Sequence, residues 1–276
     1  MTLTVAGLQH AGVAGDVEAN LAIIETAARE AVDRGATMLV TPEMFVTGYN
    51  IDGSLEELAA QDLPSRVARI ARQVGISIVA GLPLPVETSP ETRPGTSAAA
   101  STGQPRGIHN SLVVIDAHGT ELTRYNKTHL FGELDRGLFV AGEALPEPIE
   151  VDGVRLGFLI CYDVEFPETV RAAALAGVDA VIVPTAQMEP FAHIAERLIP
   201  VRAWENQVHI AYVNRTGFEG ELRYVGRSSI VGPDGERLAA LGGLDAGLLV
   251  ATIDPDATTR ARRANPYLDD RRPDLY

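Results

Sequence analysis

Cys161 is the one cysteine among 276 residues. It ends the apolar run 156–160 and is followed at once by Tyr162, Asp163, Glu165 and Pro167. A side chain at such a strand-to-helix elbow faces a cavity, and the first amides of the helix favour a thiolate there. The opposing reading is a small core residue, since free cysteine is among the most buried types. A nucleophile needs partners. Glu43 follows the short apolar run 37–41 and Pro42; a carboxylate there either caps a helix or acts as a base whose pKa an apolar setting raises. Lys127 lies among Tyr125, Leu130 and Phe131, with Glu133 close behind. Most lysines are solvated, but one held by acids in an apolar site is a fixed positive charge that stabilises an oxyanion. His129 would share a strand face with Lys127 and invites a Cys–His dyad, although a packed, hydrogen-bonded histidine is the preferred reading. His10, His109, His118, His193 and His209 show no metal-ligand spacing, and no glycine-rich phosphate loop occurs. Neither a metal nor a nucleotide is expected.

These side chains must be carried by alternating strands and helices. Residues 2–9, 37–41 and 76–82 read as strands, and 17–34 and 65–74 as helices, the first capped by Asp16 and stopped by Gly35. Segments 110–116 and 121–125 flank Ala117-His118-Gly119, a hairpin. Strands are expected again at 154–160, 179–183, 208–214, 228–231, 237–241 and 248–253, with helices at 168–176 and 193–205. An internal echo links the halves: a helix, Gly35, a strand and Thr41-Pro42 match a helix, Gly177, a strand and Val183-Pro184. This order predicts an α/β fold with mixed sheets and helices outside. Functional groups in such folds gather beyond the carboxyl ends of strands, which directs attention to Glu43, Cys161 and Thr185. Residues 83–107, mostly Pro, Ser, Thr and Gly, read as an exposed loop insertion in a single domain spanning 1–276. Residues from about 255 read as a tail of arginines, acids and aromatics.

The totals set bounds. A chain 46% hydrophobic and 22% charged has the means for a large core. A formal net charge of −14 disfavours nucleic acid and anionic membrane surfaces as partners. No apolar run approaches the ~18–20 residues of a membrane span. The first residues lack the charged and apolar regions of a secretory signal, so, with an unpaired thiol, a cytoplasmic location is expected.

Three blocks occur in order: Thr41-Pro42-Glu43-Met44-Phe45, Lys127-Thr-His-Leu-Phe-Gly-Glu133, and Leu159-Ile160-Cys161-Tyr162-Asp163-Val-Glu165-Phe-Pro-Glu168. They resemble the signature blocks of the nitrilase, or carbon–nitrogen hydrolase, superfamily, and the resemblance extends from the first strand to the last. It implies an α-β-β-α sandwich of two mixed sheets with helices outside, associating as a homodimer or higher homo-oligomer. It also implies Cys161 as nucleophile, Glu43 as general base and Lys127 as oxyanion-stabilising cation, with Glu133 holding substrate and lysine in place. No cofactor is implied.

Cys161-Tyr162-Asp163, where nitrilases proper usually carry Cys-Trp-Glu, points to the amidase branch. The blocks KTHLFGELDR, CYDVEFPE and PTAQMEPF and the ending NPYLDDRRPDLY are similar to bacterial 5-aminopentanamidases and R-stereoselective amidases. The resemblance thus implies hydrolysis of a small primary amide through a cysteine thioester, with an ω-amino amide such as 5-aminopentanamide as the finer expectation. Hydrolysis of an N-carbamoyl amine, of the N-carbamoylputrescine type, is the alternative; a nitrilase or a non-catalytic binding module is less favoured. Tyr49, Tyr162, Glu165, Thr185, Gln187 and Met188 are the expected substrate-binding residues, and Phe191 and Trp204 either line the pocket or pack in the core. Glu165 has two readings: it attracts a substrate amine by charge, or it caps the following helix or pairs with an arginine.

Overall fold

Segments such as 38–40 are apolar on both faces, which only a sheet covered on both sides accommodates. The computed structural model describes residues 1–51, 54–87 and 107–275. In it β1 (Leu3–Gln9), β2 (Met38–Val40) and β3 (Ser77–Pro85) run parallel, and β4 (Ile108–Ile115) and β5 (Glu121–Asn126) continue the sheet antiparallel. In the second sheet β6 (Ile149–Val151) pairs antiparallel with β7 (Val154–Phe158), which runs parallel to β8 (Ala180–Thr185) and β9 (His209–Asn214). A separate hairpin, β10 (Thr216–Glu219) and β11 (Leu222–Val225), precedes β12 (Ser229–Val231) and β13 (Arg237–Ala240), which close the second sheet antiparallel. Finally β14 (Gly247–Ile253) returns to lie antiparallel beside β1.

The orders β14-β1-β2-β3-β4-β5 and β6-β7-β8-β9-β12-β13 therefore repeat one plan of antiparallel, parallel, parallel, antiparallel and antiparallel joins. The echo around Gly35 and Gly177 is the sequence trace of that repeat.

The alternation of strand side chains sorts the core into layers. Val5, Met38 and Val79 face inward against Leu156, Ile182 and Val213 of the other sheet. Ala6, Leu39 and Ile78 face outward, where α1 (Val17–Asp33), α2 (Leu55–Ala59) and α3 (Leu63–Val74) flank the sheet and Leu21, Ile24, Val67 and Ile70 cover them. On the far side α5 (Pro167–Leu175) and α6 (Ile199–Asn206) cover β7, β8 and β9 through Val170, Ala174, Ile199 and Ala203, while α4 (Gly132–Leu138) packs on a separate cluster with Met44, Tyr49 and Leu55, at the site described below. The result is the four-layer α-β-β-α sandwich.

Three local expectations are revised. Strand β3 continues through Pro83 to Pro85, opposite Asn110 and Ile108, where a loop was expected. Its prolines are accommodated because β2 pairs with β3 only as far as Val79, leaving one side of the strand without a strand neighbour among the described residues. Val86 N then donates to Gly107 O at 3.2 Å, and residues 88–106 of the expected insertion lie outside the described residues. The tail begins as a helix, α7 (Pro255–Ala264), capped by Asp254, whose Oδ1 accepts from Asp256 N at 3.0 Å, and tied down by Arg262 Nη2 on Val178 O at 2.8 Å. The expected helix at 193–205 opens with a wide π-helical turn, Ile194–Leu198.

Gly81 permits the approach on which the site depends. A Cβ there would stand 2.4 Å from Pro42 O and 2.9 Å from Glu43 Cα, so only glycine lets the turn after β2 lie on β3. Gly81→Ala should destabilise the fold by about 1–3 kcal/mol. Gly137→Ala, in α4 with open space around its Cβ position, should instead be neutral or stabilise by about 0.5–1 kcal/mol. Denaturant unfolding of the two variants checks both signs; equal midpoints would contradict the packing account.

Candidate active site

The carboxyl ends of β2 and β8 meet, since Glu43 N donates to Thr185 O at 3.3 Å, a bond between the two sheets. From this junction the Glu43 side chain runs inward at zero exposure. Its Oε1 accepts from Asn110 Nδ2 at 2.7 Å and from Lys127 Nζ at 2.8 Å. Lys127, leaving β5, is fixed by its backbone: its N–H donates to Asn110 O and its carbonyl accepts from Gly142 N, both at 2.8 Å. Its ammonium is shared with Asp135 Oδ2 at 2.7 Å, also at zero exposure. Asp135 in turn accepts from Phe131 N at 2.9 Å and from the Tyr49 hydroxyl.

One buried cation thus stands between two carboxylates. Burial opposes the charge on Lys127, but Glu43, Cys161 and Asp135 outweigh it and hold the ammonium well above its ordinary pKa. Burial pushes the Glu43 carboxyl up; Lys127 opposes the rise and Asp135 adds to it. A carboxyl so displaced exchanges a proton more readily near neutrality than an ordinary glutamate does. Burial and the neighbouring acids also keep the Tyr49 hydroxyl protonated, and therefore a donor.

Cys161 follows β7 at φ 45°, the left-handed region that a residue with a Cβ rarely adopts. It opens a 3₁₀ turn, Cys161–Glu165. Burial, then the Glu43 charge, pushes its thiol well above the ordinary value, while Lys127 and the Ala186 N–H oppose the shift. That shift favours the thiol over the thiolate, and the sulfur lies 3.7 Å from Gln187 Oε1. Activation therefore needs a base, and Glu43 bears directly on its titration.

Above Cys161 lies a narrow pocket walled by Tyr49, Phe131, Tyr162, Glu165, Gln187 and Met188, with Ala186 and Phe191. Of the expected substrate-binding residues, five line it: Tyr49, Tyr162, Glu165, Gln187 and Met188. Thr185 does not. It is fully buried behind the wall, its hydroxyl donating to Val183 O at 3.1 Å and its carbonyl accepting from Glu43 and Arg215. Trp204 is 46% exposed and packs edge-on against Tyr267, away from the pocket.

Burial pushes the Glu165 carboxyl up to about 7; a hydrogen bond from Gln187 and the charges of Lys127 and Arg202 oppose the rise. The expected arginine contact is made by its backbone: Arg202 Nη2 donates to Glu165 O at 2.6 Å. His129 is the packed histidine, its Nδ1 2.9 Å from Asp163 Oδ1 and its ring stacked on Phe166.

The assignment of Glu133 is corrected. Its side chain is 99% exposed, 3.8 Å from Arg136, and Asp135 occupies the place against Lys127. Residues two apart on a helix point about 200° apart, so only one of these acids can face the lysine. Leu134 and Leu138 mark the inward face, as both pack on the buried cluster around Met44 and Tyr49. That apolar pair was the signal that would have selected Asp135. Asn110, Asp163 and Glu219 were also missed; Glu219 holds Tyr49 N at 3.0 Å and Asn50 N at 2.8 Å.

The carbon-nitrogen hydrolase family model matches residues 3–263. The chain belongs to the carbon–nitrogen hydrolase family. Proteins similar to it include the "hydrolase in pqqF 5'region" of Pseudomonas protegens, 45% identical over 99% of this chain and 95% of that protein. The N-carbamoylputrescine amidase of Solanum lycopersicum is 31% identical over 99% of this chain and 93% of its own. The crystal structure of an amidase from Nesterenkonia sp. superposes with a TM-score of 0.83 at 36% identity, covering 99% of this chain and 94% of that one. A mutant of the Nesterenkonia amidase carries the acetamide moiety of fluoroacetamide on its active-site cysteine, and another is in complex with butyramide. The protein is accordingly a catalytic-cysteine hydrolase of carbon–nitrogen bonds, of the amidase branch. Among the described residues no cluster of His, Cys, Asp and Glu is arranged to hold a metal ion, and no helix is long and apolar enough to cross a membrane.

Replacing the two acids of α4 separates their roles. Asp135→Asn should lower ammonia release from a small amide by about 10²–10³-fold, the scale of a lost oxyanion-site group. Glu133→Gln should stay within about twofold, as expected for an exposed pair. The reverse ranking would restore Glu133 to the site.

Proposed function

We propose that this protein hydrolyses a small primary amide to a carboxylic acid and ammonia through a thioester on Cys161. The observation that carries the proposal is the buried Glu43–Lys127–Asp135 set beside the buried free thiol of Cys161. Glu43 takes the thiol proton as the sulfur attacks the carbonyl carbon. The oxyanion that forms is stabilised by the Lys127 ammonium and the Tyr162 backbone N–H, each good donor contributing about 2.7–4 kcal/mol. Glu43 then returns the proton to nitrogen, the C–N bond breaks and ammonia leaves. Water, deprotonated by Glu43, attacks the thioester; the acid departs and the sulfur regains its proton. Asp135, in the role expected of Glu133, keeps Lys127 in place.

The finer reading is an ω-amino amide, such as 5-aminopentanamide, with Glu165 meeting the amine. Its support is a carboxylate on the wall of a pocket otherwise lined largely by Phe131, Tyr162, Met188 and Phe191. Arg202 spends its guanidinium on Val164 O, Glu165 O and the Glu205 carboxylate, not on the Glu165 side chain. Hydrolysis of an N-carbamoyl amine draws equal support from the tomato relative, and would release carbon dioxide as well as ammonia. A cytoplasmic homodimer or larger homo-oligomer completes the proposal. The unpaired thiol supports the location, and exposed Leu175, Val201 and Trp204 at α5 and α6 support association.

Two measurements test this reading. Cys161→Ala should abolish ammonia release, and turnover surviving that change would refute the thioester route. Below about pH 7 Glu165 is the neutral acid and above it the carboxylate. The KM for 5-aminopentanamide should therefore fall as pH rises through that value, while the KM for hexanamide, its uncharged isostere, stays flat. Glu165→Gln should remove the difference. Equal kinetics on cationic, neutral and anionic amides would eliminate the charge argument.

A further inference from the structure

Lys127 and Cys161 arrive from different sheets, one after β5 and the other after β7. An oxyanion forming at a carbonyl attacked by the sulfur meets the ammonium only if those two chain segments keep a fixed spacing. A single carboxylate spans them. Asp163 is fully buried. Its Oδ1 accepts from His129 N at 2.9 Å, from Thr128 Oγ1 at 3.0 Å and from His129 Nδ1 at 2.9 Å. Its Oδ2 accepts from Tyr125 OH at 2.8 Å and Ile160 N at 3.0 Å. Tyr125, Thr128 and His129 bracket Lys127, and Ile160 immediately precedes Cys161.

A carboxylate offers about four lone-pair sites, so these five donors saturate it and leave it no freedom to serve a substrate. The same residue closes the elbow that holds Cys161 at positive φ, because Asp163 N donates to Ile160 O at 3.0 Å. An amide at this position would turn an NH₂ toward donors that need an acceptor, and one side of the clamp would open.

We propose that Asp163 is a positioning residue that sets the spacing between the Lys127 ammonium and the Cys161 sulfur, by bonding at once to both flanks of Lys127 and to the amide before Cys161. It rests on the roles proposed above for those two residues. Thr169 supplies an internal control: its hydroxyl donates to the backbone carbonyl of Asp163 at 2.6 Å and does not touch the carboxylate.

The experiment compares kcat, KM and the unfolding midpoint of Asp163→Asn, Tyr125→Phe, Thr128→Val and Thr169→Val on one primary amide that the wild type hydrolyses. Asp163→Asn should lower kcat by about 10²-fold with KM nearly unchanged, the effect of a misplaced reacting pair. Tyr125→Phe and Thr128→Val, each removing one bond to the carboxylate, should lower kcat by about 3–10-fold. Thr169→Val should lower the midpoint and leave kcat intact. A folded Asp163→Asn with wild-type kcat would overturn the proposal, as would losses in kcat that track the midpoint in all four variants. Should Asp163→Asn fail to fold, unchanged kcat in both Tyr125→Phe and Thr128→Val overturns it. Failure of the thioester reading shows separately, as turnover by Cys161→Ala.

Discussion

Lys127 carries a full positive charge at zero exposure, 2.8 Å from Glu43 and 2.7 Å from Asp135. Taking three ionisable groups out of water is costly, and deleting one partner of such a set destabilises by about 3–5 kcal/mol. The surrounding fold has to supply every remaining bond. Asn110 and Phe131 N do so directly, Tyr49 completes Asp135, and Glu219 fixes Tyr49 from the β10–β11 hairpin. The arrangement leaves Glu43 Oε2 without a hydrogen-bond partner among the described residues. The same carboxyl carries the raised pKa, so the unspent valence and the proton-transfer capacity lie on one residue.

The repeated sheet plan explains how residues so far apart in the chain meet. Each half has a proline at the carboxyl end of a parallel strand, Pro42 just past β2 and Pro184 within β8, and the two ends are joined where Glu43 N donates to Thr185 O. Thr185 is the counterpart of Glu43 in the second half, but it contributes a carbonyl and not a side chain to the chemistry. The asymmetry that makes a site is therefore local. One half supplies the acid and the lysine, and the other the strained cysteine and most of the pocket wall.

Most of the architecture was legible because strand alternation, glycine stops and the echo between halves are local signals. Glu43, Lys127 and Cys161 were legible as types, and the structure brings them to one place. What the sequence hid were choices between near-equivalents. Glu133 and Asp135 lie on the same short helix, and only packing of Leu134 and Leu138 decides which acid turns inward. Pro83 and Pro85 suggested a loop because their tolerance depends on where β2 stops. Thr185 looked exposed to substrate because position at a strand end does not reveal which way a hydroxyl is spent. Asp163 stood in the quoted cysteine block, yet its partners at 125–129 come from another sheet, a relation invisible along the chain.

The central claim is that this site rests as a thiol beside a proton-accepting glutamate, not as a preformed thiolate–ammonium pair. With one cysteine in the chain, the ultraviolet thiolate absorbance of wild type minus Cys161→Ala, followed across pH, reads that state directly. The account predicts no thiolate signal at neutral pH, with the signal rising only well above the ordinary thiol range. A full thiolate signal at neutral pH in the resting protein would contradict it.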